Sequence, residues 1–138
     1  MRKYVPTPIH QVVPQTLQRV WGDEIIVAET PTYLGKLLRY TAGTAGGLQY
    51  HVEKDETFYL HEGRALVDYD AGDGTLTRVE MVPGMSFHIP PGAVHRFTAV
   101  TDCVVFEAST PHYDDRVRME DHFGVVDGAG RGLPTTRA

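Results

Sequence analysis

The chain has a single cysteine in 138 residues, Cys103, so an internal disulfide framework is excluded and burial must hold the fold. Cys103 sits in the apolar run Cys103-Val104-Val105-Phe106, where a buried thiol is expected rather than a reactive one. No apolar stretch approaches the ~20 residues that a membrane-spanning helix needs. Met1-Arg2-Lys3-Tyr4-Val5-Pro6 lacks the apolar centre of a signal peptide, so the expected location is the cytoplasm. Excess positive charge is also missing. Thirteen Lys and Arg against eighteen Asp and Glu leave a net charge of -5, which argues against nucleic acid or an anionic membrane as partner. Helix signals are scarce: only Gln15 to Trp21 reads as a short helix, and Val20 and Trp21 are weak helix formers. No internal repeat or low-complexity segment is present. The length suits one domain with a real core and leaves no room for a second folded unit.

What the chain does have is strands. Glu24 to Glu29, Tyr33 to Thr41, Gly47 to Val52, Glu56 to Glu62, Arg64 to Asp70, Leu76 to Met81, Ser86 to Ile89, Val94 to Val100 and Cys103 to Ser109 carry β-branched or aromatic residues between Gly, Pro or Asp breaks. Ala71-Gly72-Asp73-Gly74 has the composition of a hairpin turn. Nine short strands with tight turns predict an all-β, antiparallel sandwich or barrel in a single domain. Residues 1–18 are expected as an extended N-terminal arm, its Pro-rich part adding an edge strand to a neighbouring subunit. The barrel is expected over 19–124. A flexible, glycine-rich tail is expected over 125–138.

Two segments concentrate metal-ligand side chains. Gln49 and His51 are two apart, so on a strand they point to one face, and Glu56 follows across a short turn. His95 lies in a second segment, Gly84 to His95, that includes Pro90-Pro91-Gly92. Imidazole, carboxylate and carboxamide are donors that a divalent metal accepts, so Gln49, His51, Glu56 and His95 are the candidate ligands of one divalent ion per subunit, Zn, Mn, Ni or Fe. By the same alternation His61 and Arg96 should face away from the metal, Arg96 as a surface or interface residue. His88 should lie near the barrel wall without an assigned role. Phe58, Leu60, Phe87, Phe97 and Phe106 are expected inside, as core or as pocket lining.

The spacing Gly43-x5-Gln49-x-His51-x4-Glu56-x6-Gly63, followed by Gly84-x5-Pro90-x-Gly92-x2-His95, resembles the two motifs of the cupin superfamily. Gln49 stands where the first motif has a histidine, and Ala99 where the second ends in Asn. The resemblance implies a double-stranded β-helix, or jelly-roll barrel. The flanks resemble the layout of the phosphomannose isomerase-like cupins: Arg19-Val20-Trp21-Gly22, Tyr33-Leu34-Gly35-Lys36, Leu48-Gln49-Tyr50-His51, Phe106-Glu107-Ala108-Ser109 and Asp114-Asp115-Arg116-Val117-Arg118 through Gly124. That resemblance implies a Gln-His-Glu-His metal set and sugar isomerisation. Phe123 and Val125 replace a tyrosine and an arginine of the layout, and the arginine is tied to sugar-phosphate chemistry there.

Three functions fit this reading. A sugar or sugar-phosphate isomerase or epimerase needs a Lewis acid and a base; Glu107, Lys54 and His112 are the candidates for the base. Arg116 and Arg118 are candidates to hold an anionic group, with Phe58 and Phe97 against the carbon skeleton. Two histidines and a carboxylate also suit an Fe(II)-dependent dioxygenase. A non-catalytic, metal-stabilised sugar-binding module is the third. In each case the partner is a small molecule. A homodimer is expected, because small barrels cover their strand edges; Trp21 and Tyr33 are candidates for the seam.

Overall fold

The computed structural model describes residues 2–126. In chain order the strands are β1 (Gln15–Arg19), β2 (Gly22–Glu29), β3 (Leu34–Tyr40), β4 (Gln49–His51), β5 (Glu56–Glu62), β6 (Ala65–Asp70), β7 (Leu76–Met81), β8 (Ser86–Ile89), β9 (His95–Ala99), β10 (Cys103–Ser109) and β11 (Arg116–Arg118); a one-turn helix, α1 (Glu120–Phe123), follows. They form two antiparallel sheets, a six-stranded one in the order β1-β2-β3-β10-β5-β8 and a five-stranded one in the order β11-β4-β9-β6-β7.

Alternation along the strands sends one set of side chains between the sheets. On β5, Glu56, Phe58 and Leu60 are buried while Tyr59 and His61 are exposed. Leu38, Phe58, Leu60, Val67, Met81, Phe97 and Val105 form the central core. Burial of each such side chain contributes roughly 1.5–3 kcal/mol. Two motif glycines have conformational reasons. Gly63 has φ +97°, and a Cβ there would lie 2.2 Å from the Asp102 carbonyl oxygen. Gly92 has φ +86°, and its N–H donates to the His51 carbonyl at 2.8 Å, which ties the turn before β9 to β4.

Three expectations are corrected. Gln15 to Arg19 is an edge strand, not the start of a helix, in register with β2 from Gln15 opposite Ile26 to Arg19 opposite Gly22. Cross-strand pairing overrides the weak local helix preference. Phe106 is exposed on the outer face, because Val105 and Glu107 take the inward positions of β10. Arg96 does point away from the site, but it is only 1% exposed. Its Nη1 donates to the Val126 carbonyl at 2.9 Å, and its Nε and Nη2 lie 3.4 Å from Asp68 Oδ2. Alternation says which face a residue occupies, not what covers that face; here the C-terminal segment covers it. Val125 is buried with Leu48 and Val94, and residues 127–138 of the expected tail lie outside the described residues. Cys103 is buried as expected, and burial pushes its thiol pKa up.

Asp68 also pairs with Arg78, so it is the anion shared by two guanidiniums, one of them fully buried. Asp68→Ala is expected to lower the unfolding free energy by about 3–5 kcal/mol, because it leaves Arg96 buried and uncompensated. Removing one end of the exposed Arg64–Glu80 pair by Glu80→Gln should change it by less than about 1 kcal/mol. Urea unfolding monitored by circular dichroism measures both, and equal small losses would contradict the buried-pair account.

Candidate functional site

The four candidate ligands come from both sheets. Gln49 and His51 flank Tyr50 on β4, and Gln49 sits opposite His95 of β9 in the five-stranded sheet. Glu56 opens β5 in the facing sheet. Its Oε1 lies 3.3 Å from His95 Nε2 and its Oε2 3.6 Å from His51 Nε2. Ligand atoms of His51, Glu56 and His95 all fall within 4.8 Å of one another, a grouping that could hold a metal ion.

Hydrogen bonding sharpens the case. His95 Nδ1–H donates to the Ala93 carbonyl at 2.9 Å, and His51 Nδ1–H donates to Asp115 Oδ1 at 2.9 Å. Both acceptors require the proton on Nδ1, so in the neutral rings both Nε2 lone pairs point at the Glu56 carboxylate. Acceptors facing acceptors are stable only with a cation between them or a second proton on each ring. Gln49 Oε1 is buried without a donor among the described residues, and Glu56 Oε2, 3.0 Å from Lys54 Nζ, lacks a well-aligned one. Two imidazoles, a carboxylate and a carboxamide oxygen therefore fit a divalent ion. Burial alone would raise the Glu56 pKa, but His95 and the Lys54 ammonium outweigh it and hold the carboxyl well below its usual range.

The ligands line a cavity of about 630 Å³ between the sheets, and every other site residue expected from the sequence lines it too. Lys54 Nζ bridges Glu56 Oε2 and Glu107 Oε2, at 3.0 Å each. Desolvation would lower the Lys54 pKa, but the two carboxylates more than reverse it. Glu107 is inward-facing, and Ser109 Oγ–H donates to its Oε2 at 3.0 Å. Phe58 and Phe97 pack edge to face. His112 is partly exposed and lies 3.4 Å from Glu53, and Arg116 is exposed. Arg118 is paired with Glu120 at 2.7 Å. His61 is exposed beside Glu62, and His88 is exposed and pairs with Asp55 at 2.7 Å, both away from the cavity.

Among the structures of known proteins, this fold has several counterparts. The family model for the cupin domain matches residues 36–109, over half of the chain. The chain belongs to the cupin family. Similar solved structures include KdgF from Halomonas sp., at 24% identity and TM-score 0.60, covering 67% of this cupin and 81% of that chain. The capsular polysaccharide assembling protein CapF from Staphylococcus aureus matches at 18% identity and TM-score 0.68, over 78% of this cupin and 32% of CapF. Oxalate decarboxylase from Bacillus subtilis matches at 16% identity and TM-score 0.64, over 83% and 35%. This cupin thus spans about a third of the latter two, and likenesses at such identities establish the fold. No curated protein matches in sequence.

Sequence reasoning missed Asp115 and Tyr40. Asp115 precedes β11, which pairs with β4, so that ladder sets its carboxylate against His51. Its Oδ2 also accepts the N–H groups of Glu53 and Lys54, at 2.8 Å each. The Asp114-Asp115 pair was legible only as part of a charge run. Burial raises the Asp115 pKa, but those donors and His51 outweigh it and hold it at about 2. Tyr40 is stacked on Trp21 at 4.1 Å, and its hydroxyl is pushed far up by burial and by Glu107, Glu56 and Glu24. Its phenol stays a neutral donor in the cavity of this cupin.

Bound metal should fall well below one ion per subunit in His51→Ala and in His95→Ala and stay unchanged in His61→Ala; elemental analysis reads this, and equal loss in all three would contradict the site. Asp115→Asn should weaken metal affinity about 10–100-fold, since it loosens the His51 ring. The Asp115 pKa is depressed from 3.8, so its stabilisation is fully present above pH 4 and is lost as pH falls toward about 2. In metal-free protein the stability gap between wild type and Asp115→Asn should therefore close over that interval, as acid titration of unfolding would show.

Proposed function

We propose that this cupin is a metal-dependent isomerase or epimerase of a small sugar or sugar phosphate. The observation that carries the reading is the buried Lys54–Glu107 pair, a proton donor and a proton acceptor 3.0 Å apart in the same cavity as the metal-ligand set. A divalent ion held by Gln49, His51, Glu56 and His95 would supply Lewis acidity, polarising adjacent oxygens of the substrate. Glu107 removes the proton from the carbon beside the carbonyl and returns it to the neighbouring carbon or to the opposite face. Ser109 holds the Glu107 carboxylate in place, and the Lys54 ammonium compensates negative charge that grows on the substrate oxygens. Tyr40 donates a hydrogen bond from its neutral hydroxyl, while Phe58 and Phe97 cover the carbon skeleton and exclude water. His112 and Arg116 line the cavity, where an anionic group of the substrate passes. The carboxamide of Gln49 at a position usually held by histidine, and the flanks that resemble phosphomannose isomerase-like cupins, support the same reading; Phe123 and Val125 argue against mannose 6-phosphate itself.

The two histidines and one carboxylate favour a second reading, an Fe(II)-dependent dioxygenase. Exposed Tyr33, Tyr59 and Phe106 support a homodimer.

Protein reconstituted in turn with Zn, Mn, Ni and Fe should interconvert at least one pair in a panel of aldoses, ketoses and their phosphates. Glu107→Gln should lower kcat at least ~100-fold with metal content unchanged. Oxygen uptake with iron and no interconversion would favour the dioxygenase, and saturable binding without turnover would favour a binding module; either would overturn the proposal.

A further inference from the structure

Besides the metal-ligand set, the cavity has a wall built from β1 to β3 that carries its own charged cluster. Lys36 lies directly opposite Glu107 in the β3–β10 ladder, so the two side chains share the inner face. Its side chain is only 12% exposed, yet among the described residues it makes one hydrogen bond, to Glu24 Oε1 at the long distance of 3.5 Å. That same oxygen already accepts from Arg19 Nη2 at 2.9 Å. Glu24 Oε2 meets no protein donor among the described residues. A nearly buried ammonium with three donors is thus left with one shared, distant acceptor, an arrangement that suits a ligand oxygen completing its shell.

The setting points to the kind of ligand. Trp21 is partly exposed and lines the cavity, with its ring stacked on Tyr40 at 4.1 Å and 19°. An aromatic ring beside charged donors and acceptors suits a hydroxylated ring, whose C–H face packs on the indole while its polar groups meet the side chains. Charge selects further. The chain carries -5, but the cavity is lined by five Lys or Arg and five Asp or Glu side chains, before any cation is added. Within the cluster itself Lys36 and Arg19 share the single carboxylate of Glu24, which leaves a positive charge there for an anion. Arg116 and Arg118 fit an anion less well than Lys36, since Arg116 is exposed and Arg118 is committed to Glu120.

We propose that Lys36, with Arg19, forms an acid-group subsite for a sugar-like substrate whose ring lies against Trp21 and whose hydroxyls reach Glu24. The substrates are sugar acids or sugar phosphates, rather than neutral sugars. This rests on the sugar-isomerase reading for its ligand class, but its test needs neither metal nor turnover.

Trp21 is the chain's only tryptophan and lines the cavity, so its fluorescence reports a ligand bound there. Metal-free protein, stripped with chelator, is titrated with D-glucuronate, D-glucose 6-phosphate and D-glucose. The expected result is a saturable change with at least one of the two acids and a response to glucose at least ten-fold weaker. A response to glucuronate alone assigns a carboxylate, and a response to the phosphate alone assigns a phosphoryl group. Lys36→Met should weaken the acid at least ten-fold and Arg19→Gln should weaken it as well, whereas Lys36→Arg should keep the response; a retained circular dichroism spectrum identifies folded variants. No response to either acid, an equal response to glucose, or wild-type affinity in Lys36→Met would overturn the subsite. Metal stoichiometry measured on the same variants should not change, which separates failure of the subsite from failure of the metal centre.

Discussion

Glu56 faces two imidazoles whose lone pairs are turned toward it, and much of the architecture serves to keep that contact in place. The carboxylate belongs to the six-stranded sheet and the histidines to the five-stranded one, so the three meet only if the sheets pack in one register and spacing. The sheets are held so by the apolar core around Phe58, Leu60, Val67 and Phe97, of which Phe58 and Phe97 also line the cavity. A half-empty core would let the sheets slide and would separate the ligands by more than a cation tolerates. Stability and function are coupled here through one interface.

The C-terminal segment has a structural part in the same contact. β11 lies beside β4, Asp115 fixes the His51 ring, Glu120 accepts the Leu48 N–H at 3.0 Å, and the Val126 carbonyl satisfies the buried Arg96. Each of these partners comes after the stretch that the family model covers, residues 36–109. The barrel supplies the candidate ligands, and the segment beyond it fixes the His51 ring and covers the outer face of β9.

Much of this was legible in the chain because alternation is a strong signal. The two-residue spacing of Gln49 and His51, and the pattern Glu56-Phe58-Leu60 against Tyr59-His61, follow from strand geometry alone. The motif glycines were legible too, and Gly63 has no room for a Cβ. What was not legible depends on partners distant in sequence. Arg96 had the right parity and the wrong burial, because Asp68 and Val126 are 28 and 30 residues away. Gln15 to Arg19 carried a weak helix signal that pairing with β2 overruled. Asp115 sat in a charge run like any solvated one until β11 placed it on His51. Arg19 and Lys36 were legible only inside separate flanking motifs, not as a cluster, since Arg19, Glu24 and Lys36 come from three strands and meet only across the ladder.

The central claim is that the two histidine lone pairs and the Glu56 carboxylate converge on a cation. Its most direct test is elemental analysis of wild-type protein purified without a metal-affinity column and then equilibrated with divalent ions. The account predicts one tightly held divalent ion per subunit. Folded protein that takes up no divalent ion under any of these conditions would contradict it, and the polar cluster of the barrel would then be a charge network rather than a metal centre.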